Sequence, residues 1–241
     1  MAPLDSRAMR LLLISSSLVH GNGYLDHAEA ELRDFLGKAR RLLFVPFAQT
    51  DHDGYTARVR DRFAALGVEV AGLHAAEDPL AAIAEADAVF VGGGNTFCLL
   101  AALQRRALLP ALRARVEAGA PYIGSSAGTN LAGASIGSTN DMPVVWPASL
   151  QALGLLPFNL NPHYLDPDPR STHMGETREA RIREFHEHNL QPVLGLREPA
   201  MLRREGDTLN LRGTGGARLF RRGEDPAEVA PGAPLDALLR A

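Results

Sequence analysis

The stretch Gly124-Ser-Ser-Ala-Gly128 has the residue types and spacing of a nucleophilic serine. Its central residue, Ser126, stands in the pattern Gly-x-Ser-x-Gly after a short apolar run, Pro121 to Ile123, and residues 129–132 can begin a helix. In such a strand–turn–helix a strained backbone projects the serine hydroxyl, and the helix N-terminus offers N–H groups to an oxyanion. We therefore predict a nucleophile at Ser126, with an ordinary glycine-rich turn as the alternative.

A nucleophilic serine needs a base, and the base needs an acid that orients it. The chain has eight histidines. His163, in Asn161-Pro-His-Tyr164, follows a short predicted strand downstream of the serine. A histidine at a strand end is the natural partner of a serine at another strand end, so we predict His163 as the base. The alternative is the structural role that most histidines have.

Two acidic residues compete to orient that histidine. Asp141, in Thr139-Asn-Asp-Met-Pro143, lies between the serine and the histidine and gives the chain order Ser, Asp, His of other hydrolases. Glu198, in Gly195-Leu-Arg-Glu-Pro199, follows an apolar strand and gives the order Ser, His, Glu. Spacing alone does not choose between them. A carboxylate at a strand end is better fixed than one in a loop beside proline, which favours Glu198.

The glycine triplet Gly92-Gly-Gly94 also follows a predicted strand. Glycines let the backbone approach a substrate closely, and their N–H groups can point at a developing oxyanion. The alternatives are a phosphate-binding loop and a plain tight turn. A phosphate loop would be followed by a lysine, whereas the residues here are Asn95-Thr96-Phe97.

Strands and helices alternate at short spacing through the first 135 residues. This rhythm predicts an α/β fold, with a mostly parallel sheet and helices on both faces. Ligands bind beyond the carboxyl ends of the strands in such sheets. Three polar clusters fall there: residues 15–24, 92–95 and 125–130.

The remainder of the chain is less regular. A hairpin is predicted across Glu205-Gly-Asp207, and the Gly- and Pro-rich residues 223–241 predict a weakly structured tail. No repeat or long linker marks a boundary, so we expect a single α/β domain over residues 1–241.

Composition narrows the classes of function. A net charge of −3 without a basic block argues against nucleic acid and anionic membranes as partners. No apolar run approaches the roughly 20 residues that span a bilayer, and residues 1–10 do not resemble a signal peptide. Cys98, the only cysteine, excludes an intramolecular disulfide and a cysteine-based metal site. We expect a cytoplasmic protein.

Six motifs occur together and in order over residues 11–220. They are Gly92-Gly-Gly-Asn-Thr-Phe97, Gly124-Ser-Ser-Ala-Gly128, Thr139-Asn-Asp-Met-Pro143, Asn161-Pro-His163, Gly175-Glu-Thr-Arg-Glu179 and Gly195-Leu-x-Glu198. The set resembles the S51 family of serine peptidases, which contains aspartyl dipeptidases. The resemblance implies a three-layer, flavodoxin-like sandwich similar to class I glutamine amidotransferases. It also implies hydrolysis of dipeptides with N-terminal aspartate and no cofactor. We expect a monomer or homodimer whose partner is this small peptide.

The resemblance also implies residue roles. Ser126 matches the nucleophile and His163 the general base. Asp141 matches the acid usually assigned to orient the histidine, and Glu198 matches a second acid proposed for that role. The residues matched to substrate binding are Arg178 for the substrate's side-chain carboxylate, Gly93, Gly94 and the Ala127 N–H for the oxyanion, and Asn95 beside them. Departures from the family pattern are Tyr164, Arg197 and Pro199.

Two other functions stay open at this level. A cyanophycinase-like enzyme would use the same nucleophile on β-aspartyl-arginine polymers. A non-catalytic module on the same scaffold would bind a small molecule, with Ser126 as a turn residue. A metal-dependent hydrolase is disfavoured, since the sequence has no HxxxH motif or paired-carboxylate cluster.

Overall fold

A computed structural model of the chain describes residues 9–170, 172 and 174–240. Its strands are β1 (Arg10–Ile14), β2 (Arg41–Val45), β3 (Glu69–Gly72), β4 (Ala88–Val91), β5 (Tyr122–Ser125), β6 (Asn159–Pro162), β7 (Val193–Leu196), β8 (Met201–Glu205), β9 (Thr208–Arg212), β10 (Ala217–Phe220) and β11 (Ala227–Val229). Its α-helices are α1 (Glu29–Leu36), α2 (His52–Ala64), α3 (Pro79–Glu85), α4 (Thr96–Arg105), α5 (Leu109–Glu117), α6 (Ala127–Ala132) and α7 (Arg178–His188).

The larger sheet has seven strands in the order β3-β2-β4-β5-β1-β8-β9. From β3 to β1 the neighbouring strands are parallel, and β8 and β9 continue the sheet as an antiparallel hairpin. The parallel strands are short, mostly apolar runs, which suits strands that are covered on both faces. The predicted hairpin across residues 205–207 is present as β8 and β9.

Alternate residues of the central strands enter two separate cores. Leu11 and Leu13 of β1 pack in a cluster with residues of α4, α5 and α6. Leu12 and Ile14 pack in another cluster with residues of α1 and α2. Since successive side chains of a strand point to opposite faces, these two clusters cover the two faces of the sheet. The molecule is thus a three-layer α/β sandwich, as predicted.

A second sheet of four strands has the order β11-β10-β7-β6. β6 and β7 are parallel, whereas β10 is antiparallel to both of its neighbours. Ile182 of α7 packs in a small core with Tyr164, Val193 and Phe220. The sequence pattern does not distinguish these strands from those of the larger sheet.

Residues 223–240 are more regular than their composition predicts. Strand β11 pairs with β10, and Val229, Leu235 and Leu238 are buried. The Leu235 N–H donates to the Leu209 carbonyl oxygen at 2.7 Å. Widely spaced apolar residues therefore anchor this segment to both sheets. Residues 1–8, 171, 173 and 241 of the predicted domain lie outside the described residues.

Candidate active site

Ser126 occupies the turn between β5 and α6. Its φ of 53° and ψ of −109° lie outside the helical and extended regions. A Cβ at Gly124 would lie 2.6 Å from the Gly128 carbonyl oxygen, and a Cβ at Gly128 would collide with the Val91 carbonyl oxygen. Side chains at either glycine would therefore displace the turn, which explains the small residues around the serine. The Ser126 N–H donates to the Ile14 carbonyl oxygen at 3.1 Å.

His163 lies between the serine and a carboxylate. Its Nε2 is 2.8 Å from Ser126 Oγ, and its Nδ1 is 2.5 Å from Glu198 Oε1. An Nδ1–H that donates to the carboxylate leaves Nε2 as the acceptor of the serine hydroxyl proton. The side chains of His163 and Glu198 are 37% and 38% exposed, so substrate can reach the pair.

The register of the smaller sheet brings these two side chains together. β6 and β7 are parallel neighbours, and Pro162 pairs with Leu196 at their carboxyl ends. His163 follows β6 directly, and Glu198 follows β7 by two residues. They therefore leave adjacent strands at the same edge. Of the two acids considered from sequence, Glu198 is the one that the structure brings to the histidine.

A buried serine that sequence reasoning missed joins the two sheets at this edge. Ser15 Oγ donates to the Leu196 carbonyl oxygen and accepts from the His163 N–H, both at 2.9 Å. Ser15 is fully buried and directly follows β1, the strand beside β5. Its place in the polar cluster of residues 15–24 was the only signal in the sequence, and that signal does not reveal its partners.

Asp141 contacts a different part of the site. Its Oδ2 accepts from the Thr96 N–H at 2.7 Å and from Thr96 Oγ1 at 2.5 Å, at the start of α4. The adjacent Asn95 caps α4 by accepting from the Cys98 N–H, and its Nδ2 donates to the Met142 carbonyl oxygen at 2.9 Å. The loop that carries Asp141 thus crosses the N-terminus of α4. Within the described residues Asp141 makes no hydrogen bond to His163.

The glycine loop packs directly against the serine. A Cβ at Gly93 would lie 3.0 Å from Ser126 Cβ, and a Cβ at Gly94, whose φ is 139°, would collide with the Ala48 carbonyl oxygen. Glycine is therefore needed at Gly94, and a side chain at Gly93 would crowd the nucleophilic serine. The loop therefore forms one wall of the space in front of the serine.

The Gly93 N–H is predicted as an oxyanion donor, but in the structure it already has another acceptor. It donates at 2.8 Å to the hydroxyl of Tyr55, a buried residue of α2 that no motif indicated. Burial raises the pKa of Tyr55, so this hydroxyl stays protonated. The Ala127 N–H is the first of α6 and has no intrahelical acceptor, which leaves it suited to an oxyanion. The roles of Gly94 and Ala127 stay predictions.

Arg178 begins α7, behind the N-cap Thr177. Its glutamate neighbours pair elsewhere: Glu179 lies 2.9 Å from Arg183, and Glu176 lies 3.4 Å from Arg181. In the described part of the chain, Arg178 itself has no salt bridge. Burial lowers the pKa of Arg178, as does Arg181, whereas Asp141 raises it. A guanidinium keeps its charge in any protein environment, so Arg178 is a cation without a salt bridge among the described residues.

A cleft in front of Arg178 can receive a small ligand. Its volume is about 450 Å³, and it lies between the start of α7 and the loop Leu165–Asp168. The departures from the family pattern support this loop: Arg197 donates to Asp166 at 2.7 and 2.8 Å and stacks over Tyr164 at 5.7 Å. They thereby anchor the segment that follows His163.

Two features are absent from the described residues. No group of three or more His, Cys, Asp or Glu side chains there is arranged to hold a metal ion. None of the helices there combines the length and the apolar character that crossing a membrane requires.

A serine in the strand–turn–helix of an α/β sandwich, joined to a histidine that is joined in turn to a glutamate, defines a serine hydrolase. The model of peptidase family S51 matches residues 11–212. The chain belongs to this family.

The chain is similar to known proteins and solved structures over nearly its whole length. The chain is 58% identical to peptidase E of Streptomyces coelicolor, over 96% of this chain and 95% of that protein. It is 51% identical to a probable alpha-aspartyl dipeptidase of Drosophila melanogaster, over 97% and 98%. The structure of a peptidase from an acI-B1 actinobacterium superposes with a TM-score of 0.70 at 15% identity, covering 98% and 99% of the two chains. A putative peptidase E of Listeria monocytogenes gives 0.60 at 22% identity, over 92% and 98%. These two structures share the fold.

Proposed function

We propose that this chain is a serine dipeptidase that hydrolyses dipeptides with an N-terminal aspartate. The observation that carries the proposal is the continuous contact from Ser126 through His163 to Glu198. Arg178, which has no salt bridge among the described residues, supports a substrate that carries a carboxylate. The name of the Drosophila relative, a probable alpha-aspartyl dipeptidase that is 51% identical to this chain, supports the same substrate.

The contacts assign a role to each member of the triad. Ser126 Oγ attacks the scissile carbonyl carbon while His163 Nε2 takes the hydroxyl proton. Glu198 holds the ring with Nδ1 protonated and stabilises the imidazolium. His163 then gives the proton to the leaving amine, and an aspartyl ester on Ser126 remains. Water, activated by the same histidine, releases aspartate and restores the serine.

The oxyanion of each tetrahedral intermediate forms in front of the α6 N-terminus. The Ala127 N–H points from the first turn of this helix, where the helix dipole also favours negative charge. Gly94 follows Gly93 in the loop that packs on Ser126 and is the second proposed donor. The Tyr55 hydroxyl holds that loop through Gly93.

Arg178 gives the preference for aspartate. A β-carboxylate that enters the site without a partner would lose several kcal/mol through desolvation. A guanidinium can bind that carboxylate through two parallel hydrogen bonds. Because Arg178 has no salt bridge among the described residues, no internal pair must break when the substrate binds.

Kinetics on Asp-Leu and Asn-Leu test this function. We expect wild-type enzyme to prefer Asp-Leu strongly. Arg178→Ala is expected to lower kcat/KM for Asp-Leu by about two to three orders of magnitude, the scale of a lost charge-assisted pair. Slow hydrolysis of Asn-Leu is expected to stay nearly unchanged.

A matched control removes a neighbouring arginine. Arg181 lies one turn along α7, is half exposed and is paired with Glu176. Arg181→Ala is expected to keep the preference for Asp-Leu. Equal losses on both substrates in Arg178→Ala would show that Arg178 supports the fold instead of reading the substrate.

A further inference from the structure

Three of the four backbone N–H groups in the glycine loop, residues 92–95, already have an acceptor. These acceptors are the Val45 carbonyl oxygen for Gly92 at 3.2 Å, the Tyr55 hydroxyl for Gly93 at 2.8 Å, and the Ala48 carbonyl oxygen for Asn95 at 2.8 Å. The remaining N–H, that of Gly94, donates to none of the described residues. Because the loop packs on Ser126, this N–H is the one that the loop can offer to an oxyanion.

The local sequence does not fix the direction of the Gly94 N–H. The peptide that contains it lies between two glycines, and without a Cβ on either side its rotation meets little steric resistance. Rotation by half a turn would present the Gly93 carbonyl oxygen in place of the N–H. A carbonyl oxygen repels the negative charge that an N–H stabilises. The site therefore needs a contact that holds this peptide in one orientation.

The side chain of Gln49 makes such a contact. Its Nε2 donates to the Gly93 carbonyl oxygen at 3.2 Å, and no other described group donates to that oxygen. The peptide between Gly93 and Gly94 is trans, so its N–H points away from its carbonyl group and hence away from Gln49. Gln49 also packs closely on the loop, since a Cβ at Gly94 would lie 2.9 Å from Gln49 Cγ.

Gln49 is itself held in the turn that follows β2. Its N–H donates to the Pro46 carbonyl oxygen at 3.1 Å. The residue before it, Ala48, accepts from the Asn95 N–H, so the turn and the glycine loop are also joined through their backbones. The amide of Gln49 therefore reaches the loop from a fixed position. Because Gln49 is exposed, its replacement is not expected to leave a cavity in either core.

We propose that Gln49 is a positioning residue, which holds the peptide between Gly93 and Gly94 with its N–H directed at the oxyanion of the substrate. This role rests on the proposed function, because an oxyanion forms only when Ser126 attacks a carbonyl carbon. Gln49 makes no bond to the reacting atoms and acts on the reaction through Gly94. Its amide thus prevents the rotation that would place a carbonyl oxygen beside the developing charge.

Gln49→Met tests this role, because methionine has a similar length and volume but donates no hydrogen bond. We expect kcat on Asp-Leu to fall about 10-fold with KM nearly unchanged, the scale of one hydrogen bond that acts in the transition state. Gln49→Glu, whose ionised carboxylate has the same shape but cannot donate, is expected to lose at least as much. Thermal unfolding is expected to show that both variants keep the wild-type fold.

A boronic-acid analogue of aspartate separates an effect on the oxyanion from an effect on substrate binding. Its tetrahedral adduct with the serine places an oxygen at the oxyanion position, so we expect Gln49→Met to bind it about 10-fold more weakly than wild type. Asp-Leu carries no such charge before the attack. In a Ser126→Ala background, which does not turn it over, its Kd is expected to be the same with and without Gln49→Met.

Gln104 provides a matched control. It lies in the last turn of α4, and its Nε2 donates to the Ser149 carbonyl oxygen at 2.9 Å. Gln104→Met removes a comparable hydrogen bond away from the serine, so kcat and the affinity for the boronic acid are expected to stay near the wild-type values.

Two results would overturn the role of Gln49. Wild-type kcat and boronic-acid affinity in both Gln49 variants would show that its amide does not orient the donor. Equal losses for the boronic acid and for Asp-Leu would make Gln49 a residue that supports substrate binding or the loop in general. Wild-type enzyme without activity on Asp-Leu would instead overturn the proposed function itself.

Discussion

The two sheets of the molecule supply different parts of the active site. The larger sheet provides Ser126 and the glycine loop, which follow the neighbouring strands β5 and β4. The smaller sheet provides His163 and Glu198, which follow β6 and β7. Each pair is fixed by strand register within its own sheet. The distance from Ser126 to His163, in contrast, depends on how the two sheets are joined.

This difference separates the contacts that form within one sheet from the contact that forms between the two sheets. The approach of Gly93 to Ser126 and the contact of His163 with Glu198 each need only one sheet. Proton transfer between Ser126 and His163 requires the two sheets to keep a fixed position relative to each other. The Ser15 side chain helps to join them, because its hydroxyl contacts the ends of both β6 and β7 from the end of β1.

The largest effect is expected from the larger sheet, where the nucleophile lies. Ser126→Ala is expected to lower kcat on Asp-Leu by at least about 10⁴-fold, since the nucleophile supplies several orders of magnitude in rate. The fold is expected to persist, as judged by circular dichroism and thermal unfolding.

Its neighbour offers a matched control. Ser125 is fully buried at the end of β5, and its hydroxyl has no hydrogen-bond partner in the described residues. Ser125→Ala is expected to change kcat much less. Turnover close to wild type in a folded Ser126→Ala protein would end the serine-peptidase proposal.

A smaller effect is expected from the acid of the smaller sheet. Glu198→Gln keeps the shape of the side chain but removes the charge that stabilises the imidazolium, so we expect kcat to fall about 100-fold. The expected loss is below that of a buried triad acid, because the partly exposed pair is screened by water. Steady-state kinetics on Asp-Leu measure it.

Glu228 provides the control for charge alone. It pairs with Arg197 at 3.0 Å in the smaller sheet, and it is more exposed. Glu228→Gln is expected to leave kcat near the wild-type value. If Glu198→Gln were equally active, the base would not depend on this carboxylate.

The smallest effect is expected at the joint between the sheets. Ser15→Ala removes the hydroxyl that accepts from the His163 N–H and leaves buried groups unpaired, which costs about 1–3 kcal/mol of stability. We expect a lower melting temperature and a kcat about 10-fold lower, with KM little changed, because the base shifts but the substrate-binding residues do not.

Ser16, the adjacent residue, provides a control that separates the contact between the sheets from a general loss of packing. Ser16 is also buried, but its hydroxyl bonds locally to the Leu18 carbonyl oxygen at 2.5 Å. Ser16→Ala is expected to lower stability without the matching loss of kcat. A Ser15→Ala enzyme with unchanged kcat would show that the two sheets keep their relative position without this hydroxyl.

The comparison of the sheets also explains what the sequence could reveal. The regular alternation of strands and helices through residue 135 predicts the parallel strands of the larger sheet. The Gly-x-Ser-x-Gly pattern places Ser126 on its turn, because both patterns depend on neighbours in sequence. The contacts of His163 depend on residues 148 positions before it and 35 after it, namely Ser15 and Glu198.

Spacing carries no information about contacts across such distances. Asp141 and Glu198 therefore stay alternatives in the sequence, and only the register of β6 with β7 separates them. Tyr55 illustrates the same limit. In the sequence it is one apolar position of a helix, whereas in the structure its hydroxyl holds the glycine loop.

The backbone of the catalytic pair links activity to thermal resistance. Ser126 and His163 are two of the four non-glycine residues with positive φ in the described chain, with φ of 53° and 56°. A left-handed backbone costs a residue with a side chain about 1–2 kcal/mol, out of a typical total stability of about 5–15 kcal/mol. Selection for thermal stability alone would favour glycine at both positions. Glycine there would remove the nucleophile and the base, and activity would be lost. Activity of this protein therefore depends on a stability margin that its apolar cores provide.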